Sequence, residues 1–147
     1  MIYAYQEEPL GTGHTVMQAV PYLKNKKGKA VILYGDVPLV RPETLKKLIE
    51  KSIKEENYAT VLTAIVEKPK GYGRIIRDEK GNIKEIVEEK DATEEQREIA
   101  EINSGLYCFD IQELTLALEK LTPENSQGEY YLTDVIKIMN DKGLKTG

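Results

Sequence analysis

Apolar residues come in short runs separated by polar, glycine-marked or proline-marked breaks, and the spacing inside each run predicts its form. Ala30-Val31-Ile32-Leu33 is a continuous apolar run, as expected of a strand buried on both faces inside a parallel sheet. Before it, Met1 to Gln6 reads as a strand. Thr12 is placed to cap a helix whose Val16, Ala19, Val20 and Leu23 fall on one face. After it, Pro42-Glu43-Thr44 opens a second helix, with proline in the first turn and glutamate near the positive end of the dipole. Leu45, Leu48, Ile49 and Ile53 form its apolar stripe, and Tyr58 to Val66 reads as another buried strand. The order strand, helix, strand, helix, strand predicts an α/β fold with a doubly wound, mostly parallel sheet.

The second half changes rhythm. Arg74 to Arg77 and Ile83 to Glu88 flank Asp78-Glu79-Lys80-Gly81-Asn82, which predicts a small β-hairpin insertion. Asp91 to Arg97 is polar and reads as a loop with one helical turn. Glu101 to Phe109 reads as a strand carrying two polar residues, Asn103 and Ser104, which need partners if buried. Ile111 to Leu121 is a helical pattern, and Leu132, Val135, Ile136 and Met139 mark a last helix ending near Gly143.

Composition narrows the class. The chain has 147 residues, about one domain, and 40% hydrophobic residues suffice for a core. A net charge of −4, with both signs interspersed, argues against a nucleic-acid binder. The apolar runs are too short to span a bilayer, no signal-peptide pattern opens the chain, and the single cysteine excludes an internal disulfide framework. These features fit a cytoplasmic protein. Cys108 reads as packing within an apolar strand.

Candidate chemistry gathers at Tyr34-Gly35-Asp36. Gly35 permits a sharp turn, Pro38 prevents a helix from starting at once, and Asp36 places a carboxylate at the strand's carboxyl end, where ligands sit in open α/β sheets. An oxygen ligand there suits Mg²⁺ and hence a phosphate substrate; equally, Asp36 could simply cap the turn. Gly11-Thr12-Gly13 either lets a ligand approach a helix N-terminus or is a plain strand-to-helix turn. His14, the only histidine, excludes a histidine-based metal site. Gly71-Tyr72-Gly73, Glu88 and Asn103 each have a local structural reading beside a ligand-binding one. The residues alone lead to an α/β domain that binds a phosphorylated ligand with Mg²⁺.

Six co-linear motifs carry a resemblance further: Leu10-Gly11-Thr12-Gly13-His14, Leu33-Tyr34-Gly35-Asp36-Val37-Pro38-Leu39, Gly71-Tyr72-Gly73-Arg74-Ile75, the stretch from Ile86 to Thr93, Glu101-Ile102-Asn103-Ser104-Gly105, and the stretch from Gln127 to Asp134. Together they resemble the uridylyltransferase domain of the bifunctional bacterial N-acetylglucosamine-1-phosphate uridylyltransferase / glucosamine-1-phosphate acetyltransferases. The resemblance implies transfer of UMP from UTP to N-acetylglucosamine-1-phosphate with Mg²⁺, giving UDP-N-acetylglucosamine for peptidoglycan and lipopolysaccharide, and pyrophosphate. It implies that Gln6, Gly11 and Thr12 hold the uridine portion and that Tyr34 and Gly35 lie beside the phosphates. Asp36 is then the catalytic residue and Mg²⁺ ligand, and Gly73, Glu88 and Asn103 hold the N-acetylglucosamine ring.

The chain also departs from that pattern. The family's opening strand and glycine-rich loop, its following lysine, the second metal ligand (an asparagine) and the β-helix acetyltransferase domain have no counterpart in residues 1–147. The expectation is a fragment of the transferase domain, with an incomplete sheet open to self-association and little turnover alone. The competing reading is a non-catalytic sugar-nucleotide-binding or interaction module. A thymidylyl- or cytidylyltransferase is disfavoured by the joint presence of the Leu-Gly-Thr-Gly-His and Glu-Ile-Asn-Ser-Gly motifs.

Overall fold

The computed structural model describes residues 1–37 and 39–147, so the helix-blocking role expected of Pro38 lies outside the described residues. Two short helices, α1 (Thr12–Met17) and α2 (Val20–Leu23), precede strand β1 (Lys29–Leu33). There follow helix α3 (Pro42–Lys54), strands β2 (Ala59–Ile65), β3 (Arg74–Arg77) and β4 (Ile83–Val87), and the single turn α4 (Glu94–Arg97). Strand β5 (Glu101–Asp110) and helices α5 (Ile111–Leu118) and α6 (Asp134–Asp141) complete the chain.

The sheet is organised around β5. Strand β2 runs along one edge of it, from Ile65 opposite Glu101 to Ala59 opposite Phe109. The other edge is shared: β1 takes the carboxyl-terminal half, Leu33 opposite Leu106, and β3 begins beside Ile102 and leads to β4. All four ladders are antiparallel, and the one parallel contact among the described residues is the bridge Ala59–Thr146. The mostly parallel sheet expected from the element order is therefore corrected. Strands β1 and β2 do run in the same direction, because both oppose β5, but β5 lies between them. A strand–helix–strand order sets direction without setting which strand fills the gap.

Helices cover both faces, as the doubly wound expectation required. Residues alternate along β5 with the period of two that a strand imposes. Tyr107 and Phe109 join the larger core with Leu114, Leu118, Leu132, Ile136 and Met139, whereas Leu106 and Cys108 join Leu48 of α3 on the opposite face. Cys108 is fully buried, in keeping with a packing role. Three further expectations change. Residues 1–6 form no strand, and residues 1–5 stay exposed, since a strand's backbone groups need an adjacent edge and none is paired with them. Thr12 is the first residue of α1 rather than its cap, which is Gly11. In α3, Ser52 is buried and Ile53 faces solvent, one position off the expected stripe. Among the described residues no helix is long and apolar enough to cross a membrane.

Candidate functional site

Three adjacent strands bring one group of residues together. Gly73 immediately precedes β3, Glu88 immediately follows β4, and Asn103 lies on β5, so antiparallel pairing of Arg74 with Val87 and with Ile102 puts all three at one end of the sheet. The Asn103 N–H donates to the Gly73 carbonyl at 2.9 Å. A Cβ on Gly73 would stand 3.3 Å from Glu88 Oε2, so a side chain there would press on the carboxyl group. The hairpin turn that makes this possible is fixed by Asp78, whose carboxylate accepts from the N–H groups of Lys80 and Asn82 at 2.9 and 2.8 Å.

Strand β1 delivers the other group. Its carboxyl end abuts a bulge in β5, where the register against β2 jumps from Leu62–Leu106 to Thr63–Asn103 and leaves Ser104 and Gly105 unpaired. Ser104 Oγ donates to the Leu62 carbonyl at 2.6 Å, which stitches the bulge shut. Gly105 sits at φ 77°, and a Cβ there would lie 2.5 Å from the Tyr34 ring. Glycine is required at this point both by the left-handed backbone and by the aromatic face against it. Tyr34 thus rests on the bulge, tilted against Tyr107 with ring centroids 6.1 Å apart.

The two groups line one cavity of about 550 Å³, whose wall includes Thr12, Tyr34, Asp36, Gly73, Glu88 and Asn103. Six of the nine residues singled out in the sequence therefore meet. Tyr72 of the Gly71-Tyr72-Gly73 loop and Gln127, Glu129 and Tyr131 of the last motif, none of which was given a role of its own, also line the wall. Among the described residues, none of the lining side chains is lysine or arginine, while Asp36, Glu88 and Glu129 contribute carboxylates. A shallower concavity of about 320 Å³ lies against α1 and contains Gly35; it shares Thr12, Tyr34 and Asp36 with the first. Asp36 therefore stands at the junction of the two.

Burial raises the Glu88 carboxyl above the usual range, partly offset by the hydrogen bond from Thr133 and reinforced by the charges of Asp134, Asp91 and Glu129. Thr133 Oγ1 donates to Glu88 Oε1 at 3.0 Å. Burial likewise raises the Tyr34 hydroxyl. Asp36 is exposed and, among the described residues, belongs to no salt bridge and no cluster of three or more potential metal-binding side chains. A lone open carboxylate suits Mg²⁺, which keeps several waters and is commonly held by one or two carboxylates together with substrate phosphates.

Gln6 and Gly11 lie elsewhere. Gln6 bonds the His14 ring at 2.9 Å and accepts from Thr15 Oγ1 at 2.9 Å, which fastens Gln6 itself onto α1. The close approach permitted by Gly11 and Gly13 is used by the chain itself: Gly13 N–H donates to the Tyr130 carbonyl at 2.7 Å, and a Cβ on Gly11 would stand 2.6 Å from that oxygen. Thr12 Oγ1 accepts from the Leu132 N–H at 3.0 Å, so the Gly-Thr-Gly turn docks the segment bearing Tyr131 and Thr133.

Comparisons with known proteins show the family and the fold. The family model described as "Nucleotidyl transferase" matches residues 1–146. The chain is 53% identical over its whole length to the "Bifunctional protein GlmU" of Acetivibrio thermocellus, 55% to that of Clostridium novyi and 56% to that of Clostridioides difficile. It spans 32% of the length of each. Among solved structures it is similar to a UDP-glucose pyrophosphorylase complexed with UDP-glucose, with a TM-score of 0.70 at 20% identity, covering 93% of this chain and 53% of that one. The apo form of a UDP-glucose pyrophosphorylase gives 0.72 at 19% identity, covering 96% and 52%. At that identity the likeness is one of fold.

Proposed function

The chain belongs to the nucleotidyl transferase family, and from that premise we propose that it supplies the sugar-holding part of a site that transfers UMP from UTP to N-acetylglucosamine-1-phosphate. The observation that carries this reading is the lining of the larger cavity, which combines carboxylates, an amide and tyrosines with no lysine or arginine among the described residues. Such a wall suits a neutral group rich in hydroxyls, which carboxylate oxygens accept from and aromatic faces cover; it does not suit a bare polyphosphate. Glu88 and Asn103 hold the ring, and Gly73 lets it come close to the backbone. The adjoining concavity takes the nucleotide, and Asp36 at the junction meets the phosphates between the two.

In this reading the residues position rather than react. The sugar phosphate oxygen attacks the α-phosphate of UTP and pyrophosphate leaves, a displacement that calls for in-line alignment and cations on the developing charge. Mg²⁺ bound by Asp36 and the phosphates would supply part of that charge. Titration calorimetry with UDP-N-acetylglucosamine and Mg²⁺ tests the reading: saturable binding, stronger than that of UDP-glucose and weakened by Glu88→Ala, is the expected result. Equal affinity for the two sugars would overturn the assignment of the ring. The lack of a cationic lining favours a second reading for the chain in isolation, binding without turnover, and a pyrophosphate-release assay separates the two.

A further inference from the structure

Tyr107 has a hydroxyl that packing does not explain. The residue is fully buried, stacked on Phe109 with ring centroids 5.4 Å apart and an interplanar angle of 19°, and tilted against Tyr34. Phenylalanine would fill that volume, and a phenol buried without a partner costs free energy. The hydroxyl accepts from Asn103, whose Nδ2 donates to Tyr107 Oη at 2.6 Å, and it also faces the Tyr34 hydroxyl. The other end of the same amide is engaged too: Asn103 Oδ1 accepts from the Gly105 N–H at 3.0 Å. An N–H can only donate, so the bulge backbone dictates which end of the amide is oxygen, and Tyr107 receives the nitrogen. Of two N–H groups and two lone pairs on the Asn103 amide, one of each remains for whatever occupies the cavity.

We propose that Tyr107, which does not line the cavity, is a positioning residue that locks the Asn103 amide in one orientation for ligand binding. The proposal rests on the sugar-holding reading of the cavity. Without the Tyr107 hydroxyl, Asn103 keeps its bond to Gly105, but its nitrogen loses the group that fixes the rotamer. Preorganisation is then lost and the ligand must order the amide itself.

Titration with UDP-N-acetylglucosamine and Mg²⁺, well below the melting temperature, reads this directly. Y107F should weaken binding about fivefold, the worth of one net hydrogen bond. In a Y34F background, which lacks the other hydroxyl that Tyr107 faces, Y107F should still weaken binding, and adding N103A should abolish that effect, because the amide it acts through is gone. Undiminished affinity in Y107F, or losses that multiply, would overturn the proposal. A ligand-free measurement separates this from the functional reading: the Asn103 side-chain amide resonances should shift in Y107F. If the wild-type chain binds no sugar nucleotide, the sugar-holding reading fails, and shifted amide resonances still uphold the lock while unmoved ones refute it.

Discussion

Single residues in this chain are constrained by the site more than by the core. Gly105 combines a φ of 77° with an aromatic ring 2.5 Å from where a Cβ would sit. Gly105→Ala should cost about 2 kcal/mol of stability from the left-handed backbone alone, measured by urea unfolding, and should also displace Tyr34. Glu88 is constrained in the opposite sense. Its carboxyl is raised in the folded chain by burial, so the native state holds the proton more tightly than the unfolded state. Stability from this group is then greatest below the ordinary glutamate value of 4.5 and falls as pH rises through the folded value. Glu88→Gln keeps an acceptor for Thr133 and removes that penalty. The variant should melt above wild type at pH 7, with the gap closing towards pH 4, yet bind sugar nucleotide more weakly. A melting temperature below wild type at pH 7 would show that the carboxylate is satisfied in the fold.

At the scale of elements, the cavity wall depends on a buried cation behind it. Arg74 begins β3 with its side chain 1% exposed; it pairs with Glu89 at 2.6 Å, donates to the Arg97 carbonyl at 3.2 and 3.3 Å, and reaches the Tyr72 carbonyl as well. One guanidinium thus joins the Gly71-Tyr72-Gly73 wall to the segment that α4 closes. Its planar fork cannot be reproduced by an ammonium group. Arg74→Ala should lower the urea-unfolding midpoint clearly, because it removes a buried side chain together with its bonds to Tyr72, Glu89 and Arg97, and Arg74→Lys should recover little of it. Glu89→Gln, which still offers an oxygen to Arg74, should be milder. Faster amide exchange at Tyr72 and Gly73 in Arg74→Lys would confirm that the wall has loosened.

Elements were legible in the sequence where their evidence is local. The hairpin of β3 and β4, the span of β5, and the amphipathic α5 and α6 follow from turn chemistry and periodicity, and the structure has them. Pairing was not legible, because β1 meets its partner some 75 residues later. The apolar run that predicted a strand buried on both faces is corrected by the structure: β1 is only half-buried and its Leu33 is exposed, since it pairs with β5 on one edge alone. The site divides in the same way. Asp36, Glu88 and Asn103 stood out as polar residues at strand ends or within an apolar run. Tyr107 and Thr133 did not: one looks like core and the other like the start of a helix, and their roles exist only through Asn103 and Glu88. Buried polar residues that demand partners, Asn103 above all, were the available pointer to them.

For the molecule as a whole, charge decides what the cavity can do unaided. Asp36, Glu88 and Glu129 face it, and no lysine or arginine among the described residues lines it. Phosphates brought to the junction at Asp36 therefore meet carboxylates, and binding should depend on a divalent cation interposed between them. Removing Mg²⁺ with EDTA should weaken UDP-N-acetylglucosamine binding several-fold, whereas Asp36→Ala should bind alike with and without the metal. A Mg²⁺ effect that persists in Asp36→Ala would place the cation elsewhere. Turnover is more demanding than binding, since charge builds on the phosphoryl oxygens only in the transition state and each missing preorganised donor costs about 10²–10³ in rate. The 147-residue chain should accordingly release pyrophosphate from UTP and N-acetylglucosamine-1-phosphate at least ~10²-fold more slowly than a full-length relative. Comparable rates would mean that cationic groups outside the cavity wall, such as the exposed lysines, reach the phosphates during the reaction.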